Sequence, residues 1–453
     1  MRITNIFIHD KVVFKEDKNM KIALLNHGCA KNLVDSELML GLLAEKGHQI
    51  TLDENDADIV VINTCSFIHD AEQESVQTIL QIANSGKKVI VTGCLPQKYK
   101  GDLKKAIPEI SGMVGTSDIK EIVDVVEQVA GNKPFVSKVS EKPDYLYPEN
   151  IERQQITVGA SSYIKIADGC NYHCGYCIIP NLRGEYHSRT IESVVDEAKK
   201  LVKKGVTEIV LIAQDTTSYG IDLYGKQKLP ELLEELNKIE GLGWIRIMYA
   251  YPSQMSDELI DAIARLDKVA KYIDLPLQHC NSEILKAMRR PVMDYEALVD
   301  KIRAKIPDVA IRTAFIVGYP GETDEQFNEL YDFVKRMRFE KMGVFEYSRE
   351  KNTVSYSMTE QIPAKTKKQR RNKLMKLQQK ISREINESYV GKTIQCIVEG
   401  YTDDGVVLMR SQHDAPEIDG MVYASSKEQV VPGDIENVLI ERADEYDLFG
   451  VLQ

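Results

Sequence analysis

The strongest constraint on the fold is a rhythm of short apolar runs, each followed by a turn and then by a segment of helical periodicity. Runs at 22–25, 59–62 and 89–91 alternate with helical stretches at 33–46, 68–84, 97–107 and 119–129. Strands that alternate with helices pair in parallel and are covered on both faces, so residues 20–130 predict an α/β domain built on a doubly wound parallel sheet. Residues 131–160 hold Pro134, Pro143 and Pro148 without a sustained period and read as a linker. The rhythm then resumes with runs at 163–167, 208–213, 244–250, 272–275, 310–317 and 343–347. Six strand–helix units are too few for the closed eightfold barrel, so residues 161–387 predict an open, partial (β/α)6 barrel. Runs at 393–398, 405–409, 420–423 and 435–440, set between Gly and Asp turns, predict a small antiparallel β-barrel over 388–453. Residues 1–19 form an extension with no assignable role.

The cysteines sit where this rhythm mounts ligands. With no apolar run of 18 residues and no signal peptide, the chain is expected in the cytoplasm, where eight cysteines favour metal or redox chemistry over disulfides. Three share one loop after the first barrel strand, Cys170-Asn171-Tyr172-His173-Cys174-Gly175-Tyr176-Cys177. Thiolates this close converge on one metal centre. No fourth follows before Cys280, so a cubane iron–sulfur cluster held here keeps one iron open to a small molecule. A structural zinc loop is the competing reading, although zinc favours four ligands from paired C-x2-C hooks. Cys29, Cys65 and Cys94 follow the three runs of the first sheet. The carboxyl ends of adjacent parallel strands share one rim, so these three are expected to meet in a second site. A single cysteine there would read as a small buried hydrophobe.

The C-x3-C-x2-C loop, with Tyr176 before its last cysteine, resembles the signature of radical S-adenosylmethionine (SAM) enzymes. Joined to Gly28-Cys29-Ala30-Lys31-Asn32-Leu33-Val34-Asp35-Ser36-Glu37, Asn63-Thr64-Cys65 and Thr92-Gly93-Cys94, it resembles the methylthiotransferase family. The resemblance runs from about residue 20 to the end, and the terminal barrel is similar in position to a TRAM domain. It implies two 4Fe-4S clusters, one on Cys170, Cys174 and Cys177 with SAM on its open iron, the other on Cys29, Cys65 and Cys94. It implies reductive cleavage of SAM to a 5′-deoxyadenosyl radical, replacement of an unactivated C–H by C–S–CH3, and an external electron donor and sulfur source. Further candidates lie at the same rim. Tyr176 is expected beside the adenine or methionine of SAM. Arg183 or Arg189 could pair with its carboxylate, an ordinary salt bridge being the alternative. Gln214, opening the polar run 214–220, could read SAM or substrate hydroxyls. Gly318 and Gly321 permit close approach to a ligand, or form a plain Pro-Gly turn. His279 and Cys280 are expected to be satisfied rim residues.

Charge bears on the substrate. The net charge is −11, yet residues 361–387 carry nine Lys/Arg against two Asp/Glu, with Leu374, Leu377 and Ile381 on one stripe of a helix. Residues 388–453 carry four against thirteen, an acidic surface that repels polyanions. Some members of the family modify the β-carbon of an aspartate in protein twelve of the small ribosomal subunit, and others a tRNA adenosine beside the anticodon. Ala30-Lys31-Asn32 and Ala213-Gln214-Asp215-Thr216 stand where tRNA-modifying relatives tend to have Gln-Met-Asn and Gly-Gln-Asn-Val. The resemblance therefore favours the ribosomal protein, free or within the ribosome, with no membrane partner and nucleic acid contact not primary. The basic helix keeps the tRNA alternative open. A non-enzymatic metal-binding scaffold is a third reading, and predicts a colourless zinc protein.

Overall fold

The computed structural model describes residues 19–66, 69–145, 147–148, 151–156 and 159–453; all but the last residue of the 1–19 extension lies outside them. The first domain is a sheet of β1 (Lys21–His27), β2 (Gln49–Thr51), β3 (Ile59–Thr64), β4 (Lys88–Gly93), β5 (Ile110–Val114) and β6 (Val136–Lys138), parallel throughout in the order β2-β1-β3-β4-β5-β6. The apolar run of β3 is buried along its whole length, as a central strand must be when helices cover both faces. One face takes the helices Ala30–Glu45 and Ile122–Ala130 through Val34, Leu38, Ile122 and Val125. The other takes His69–Asn84 and two short helices through Ile79, Ile82, Leu95 and Leu103. The sheet is thus doubly wound, and its strand order reverses between β1 and β3, the point at which such sheets bind ligands.

Two departures from the sequence reading have local causes. The helical stretch 97–107 is split into Cys94–Tyr99 and Gly101–Ala106 because Lys100 takes a left-handed φ of 47°, which no helix ladder accommodates. The stretch read as a linker contributes β6, whose three residues bury only Val136; so short a run carries little apolar signal.

The second sheet contains β7 (Ser161–Lys165), followed by a small antiparallel pair, β8 (Ala167–Asp168) with β9 (His187–Ser188), and then β10 (Glu208–Ile212), β11 (Trp244–Ile247), β12 (Val269–Asp274), β13 (Ala310–Val317) and β14 (Lys341–Glu346). Its parallel strands lie in chain order from β7 to β14, and those two remain unpaired edges, so the barrel is open as expected. Thr190, Ser256, Asn281, Asp294 and Thr323 cap outer helices by accepting backbone N–H groups, each such cap stabilising by about 1 kcal/mol. The basic stretch is the helix Ala364–Glu387, and its Leu374 and Ile381 are buried in the barrel's outer core. Several of its charges serve packing: Arg370 is buried on Glu322 and Asp324, Lys367 donates to the Tyr347 carbonyl and Lys373 sits over Phe327.

The terminal barrel closes in the order β15-β16-β17-β19-β18, from β15 (Thr393–Tyr401), β16 (Val407–Ser411), β17 (Val422–Ser425), β18 (Ile435–Ala443) and β19 (Leu448–Leu452). It is antiparallel except that β17 and β19 run parallel. It sits under the amino ends of the central strands. Glu208, at the start of β10, takes Arg246 Nε at 2.8 Å and Arg410 of β16. The loop after β16 enters the barrel from below: Arg246 donates to the Gln412 carbonyl at 2.8 Å, Tyr272 Oη donates to Asp419 at 2.8 Å, and Ala415 joins the apolar cluster of Tyr272 and Ala310. The carboxyl ends at the opposite side are left to the first domain.

Candidate active site

The loop that carries Cys170, Cys174 and Cys177 is held by its backbone. Gly169 has φ +81°, and a Cβ there would lie 1.8 Å from the Glu185 carbonyl oxygen, so only glycine fits. The Cys170 N–H donates to the Gly184 carbonyl at 3.1 Å, the Gly175 N–H to that of Met288 at 2.8 Å, and the Ser355 N–H to that of Gly175 at 2.9 Å. The thiols are free, Cys174 buried and its two companions half-buried. Burial pushes Cys170 up to about 11 and Cys177 up to about 12, and the neighbouring thiols of the loop push the same way. Tyr176 packs in an apolar cluster with Ile284, Met288, Tyr319 and Tyr347. Tyr172 stacks on Tyr251, centroids 3.8 Å apart and planes within 5°, and Arg290 lies 4.2 Å over the far ring. Nothing in the spacing of the chain brings these three residues together, and the sequence reading missed them.

Cys29, Cys65 and Cys94 follow β1, β3 and β4 at the switch point of the first sheet. Gly93, at φ +91°, brings β4 against Asn63, whose Oδ1 a Cβ would meet at 2.3 Å. Asn63 bonds Asn32 and Ser36, which ties the turn after Cys29 to the end of β3. Burial raises the Cys94 thiol to about 12 against the pull of Arg183, with Cys65 and Cys29 adding to the rise; the three are therefore electrostatic neighbours. Crowding would also raise Cys29, but the Lys31 ammonium and the Arg183 guanidinium outweigh it and lower its pKa. Cys94 packs with Ile178 and Leu182, and Ile178 directly follows Cys177, so the two thiol sets share one crevice. Among the described residues no three His, Cys, Asp or Glu side chains are close enough to hold a single ion. A cubane does not require that, since each thiolate takes a different iron. Soft donors that are mutual neighbours fit such a cluster at both places.

The domains are joined at this crevice by buried charge. Arg183 Nη1 meets Asp35 at 2.7 Å and Asp168 at 3.1 Å, and its Nη2 donates to Asn32 Oδ1 at 2.9 Å. Lys165 pairs with the same two carboxylates. Arg183, one of the two candidates for the SAM carboxylate, is thus held in an interdomain clamp, the salt-bridge alternative. Arg189 is likewise engaged, on Glu197 at 2.6 Å, on the Lys165 carbonyl, on Ser193, and on the face of Tyr147. Gln214 Nε2 donates to Asp168 Oδ1 at 2.7 Å and so supports the clamp. Asp215, Thr217 and Ser218 hydrogen-bond among themselves, which accounts for the polarity of that run. Gly318 and Gly321 have φ +73° and +84°, but the space over Gly318 is filled by Lys367, whose Cγ stands 2.1 Å from an added Cβ, and Glu360 lies over Gly321. Neither is an open cradle. His279 is buried and accepts the Asn281 N–H at 3.0 Å, while Cys280 packs against the outer core.

An open parallel barrel with a three-thiol loop after its first strand defines a radical SAM enzyme, and residues 164–334 match the Radical SAM superfamily. Residues 21–115 match the uncharacterized protein family UPF0004, and 390–452 the TRAM domain. The radical S-adenosylmethionine methyltransferase TsrM from Kitasatospora setae, solved with cobalamin and a 4Fe-4S cluster bound, shares the fold, with TM-score 0.56 and 15% identity over 83% of this chain and 79% of its own. Relatives named ribosomal protein uS12 methylthiotransferase RimO extend over nearly the whole chain. The one from Lachnoclostridium phytofermentans is 46% identical over 96% of this chain and 100% of its own, and that from Caldanaerobacter subterraneus is 48% identical over 95% and 99%. The chain belongs to the RimO family of methylthiotransferases.

Proposed function

We propose that this chain attaches a methylthio group to the β-carbon of an aspartate in ribosomal protein uS12, using one 4Fe-4S cluster on Cys170, Cys174 and Cys177 and a second on Cys29, Cys65 and Cys94. The observation that carries the two-centre reading is the contact of Cys94 with Ile178 and Leu182, since sulfur and radical must reach the same carbon. Bound there, the clusters and SAM supply radical abstraction and sulfur, which no acid, base or thiol of a protein can supply at an unactivated C–H. The protein's own share is positioning. The backbone bonds of residues 170–175 fix the first thiol set, and the Asn32–Asn63 pair fixes the turns that bear Cys29 and Cys65. Arg183 keeps a positive charge beside Cys29 and Cys94, which favours their thiolate form. The stacked Tyr172 and Tyr251 supply an apolar wall beside the cluster loop, suited to excluding water from a radical. The acidic terminal barrel suits a basic ribosomal protein and disfavours phosphate. With Lys367, Arg370 and Lys373 engaged in packing, the basic helix offers a polyanion less than its composition suggests. Ribosomes are made in the cytoplasm, where an electron donor and a sulfur source would be met; no helix among the described residues is long and apolar enough to cross a membrane. The test is incubation of the reconstituted enzyme with methyl-labelled SAM, a reductant, and either uS12 or unmodified tRNA. Label is expected in uS12, and label in tRNA alone overturns the assignment.

A further inference from the structure

We infer that Lys31 grips the carboxylate of the target aspartate and thereby selects an acidic side chain as the substrate. This rests on the function proposed above. Lys31 stands in the first turn of the helix Ala30–Glu45, two residues after Cys29. Its half-buried side chain leaves the first domain and sets Nζ 3.3 Å from the ring centroid of Tyr249. Tyr249 lies just past β11 at the carboxyl rim of the central barrel. It holds a left-handed φ of 61°, and its N–H donates to Asp274 Oδ2 at 3.0 Å. The ammonium therefore spans the two domains at the mouth shared by the thiol sets.

What sets Lys31 apart is its lack of a carboxylate. Lys98, Lys165 and Lys341 are the other lysines withdrawn into domain contacts, and each has a carboxylate on it. Cys29, Asp168 and Asp274 lie within electrostatic reach of Lys31, but the Cys29 thiol is assigned to the second cluster in the function proposed above, and both carboxylates are taken. Asp168 receives Lys165 at 2.7 Å, Arg183 at 3.1 Å, the Gly169 N–H at 2.9 Å and Gln214 at 2.7 Å. Asp274 receives Arg312 at 2.8 Å besides the Tyr249 N–H. Among the described residues the Lys31 ammonium has no ion pair with a carboxylate and no hydrogen bond, only the face of a ring. An ammonium held in a crevice on an aromatic face attracts an incoming anion more strongly than one in water, because most of its hydration has already been given up. A carboxylate bound there leaves the adjacent β-carbon one bond from the anchored group, at the mouth both centres face. A nucleobase brings no full negative charge to that point.

The inference is tested by binding, with anaerobic reconstituted full-length enzyme and full-length uS12 carrying either its native aspartate or asparagine at the target position. Wild-type enzyme is expected to bind the aspartate form on the order of ten- to a hundredfold more tightly, the range for truncating one member of a desolvated charge pair. Lys31→Met should bind both forms equally weakly, and Lys31→Arg should recover part of the preference. Iron content and the reduced-state EPR spectrum of both variants should match wild type. Undiminished preference in Lys31→Met overturns the inference. So does loss of iron or an altered spectrum, which would make Lys31 a counter-ion for the site at Cys29. If the wild-type enzyme methylthiolates neither form, the proposed function fails and this inference with it; if it modifies the aspartate form and Lys31→Met does so with unchanged KM, only the inference fails.

Discussion

The two ends of the central barrel are both sealed by buried charge, but only one seal closes on itself. At the amino ends of the strands Glu208 is clasped by Arg246 and Arg410, and Lys341 by Asp414. At the carboxyl ends Arg183 and Lys165 satisfy Asp35 and Asp168, yet among the described residues the Lys31 ammonium has no carboxylate on it and rests on the Tyr249 ring beside the thiol of Cys29. A joint that only holds can pair every charge. A joint that must admit a cofactor and a substrate keeps donors in reserve, and the contrast marks the reactive end without reference to any motif.

The largest effect should come from the thiols. Cys174→Ala is expected to abolish SAM cleavage, measured as 5′-deoxyadenosine release. Cys65→Ala should retain cleavage and lose methylthio insertion, and equal loss of both reactions would collapse the division of labour between the two sets. Next is the clamp. Arg183→Met leaves Asp35 and Asp168 to Lys165 alone and should cost about 3–5 kcal/mol in denaturant unfolding. It should also lower the iron content, because the positive charge beside Cys29 and Cys94 is gone. At the floor, Glu208→Gln should cost about 3 kcal/mol with iron content unchanged; iron loss there would erase the contrast between the ends. Burial would raise the Glu208 carboxyl, but Arg410 and Arg246 hold it down at about 2. Its contribution is therefore complete above the usual carboxylate pKa of 4.5 and is lost as the pH falls from there toward 2. Unfolding measured across that window should be steeper in wild type than in Glu208→Gln. The smallest effect is expected of Gly318→Ala, where φ +73° and a displaced Lys367 together should cost about 1 kcal/mol, read as a lowered Tm.

Much of this was legible in the chain. The six barrel runs and the three cysteine-bearing turns could be read because an apolar run that ends in a small or polar turn has few other uses in a parallel sheet. β2 and β6 could not, being three residues long at the sheet edges, and β19 was hidden behind an Asp-rich turn. Where the sequence leaves two readings open at the site and the structure favours the plainer one, the cause is the same. Arg183 and Arg189 leave open a SAM carboxylate or an ordinary salt bridge because a sequence does not disclose a charge's partner. Asp35 lies in another domain, and Tyr147, the ring beneath Arg189, lies in a stretch that reads as linker. Gly318 looked like a ligand cradle because its occupant, Lys367, comes from a helix 49 residues later. Lys31 was visible in the motif after Cys29, but its position over Tyr249 belongs to the tertiary fold.

The helix Ala364–Glu387 has a mechanical consequence. Its 24 residues span about 36 Å at the usual rise. Near its start Lys367 and Arg370 are seated on the Tyr347 carbonyl and on Glu322; near its end Ser382 and Asn386 donate to the carbonyls of Glu445 and Asp444. It is a stiff strut fastened to the top of one barrel and the wall of the other. Any tug that a docked ribosomal protein exerts on the acidic module is delivered along its axis to the segment after β13, with no hinge between Pro363 and Ser388 to absorb it.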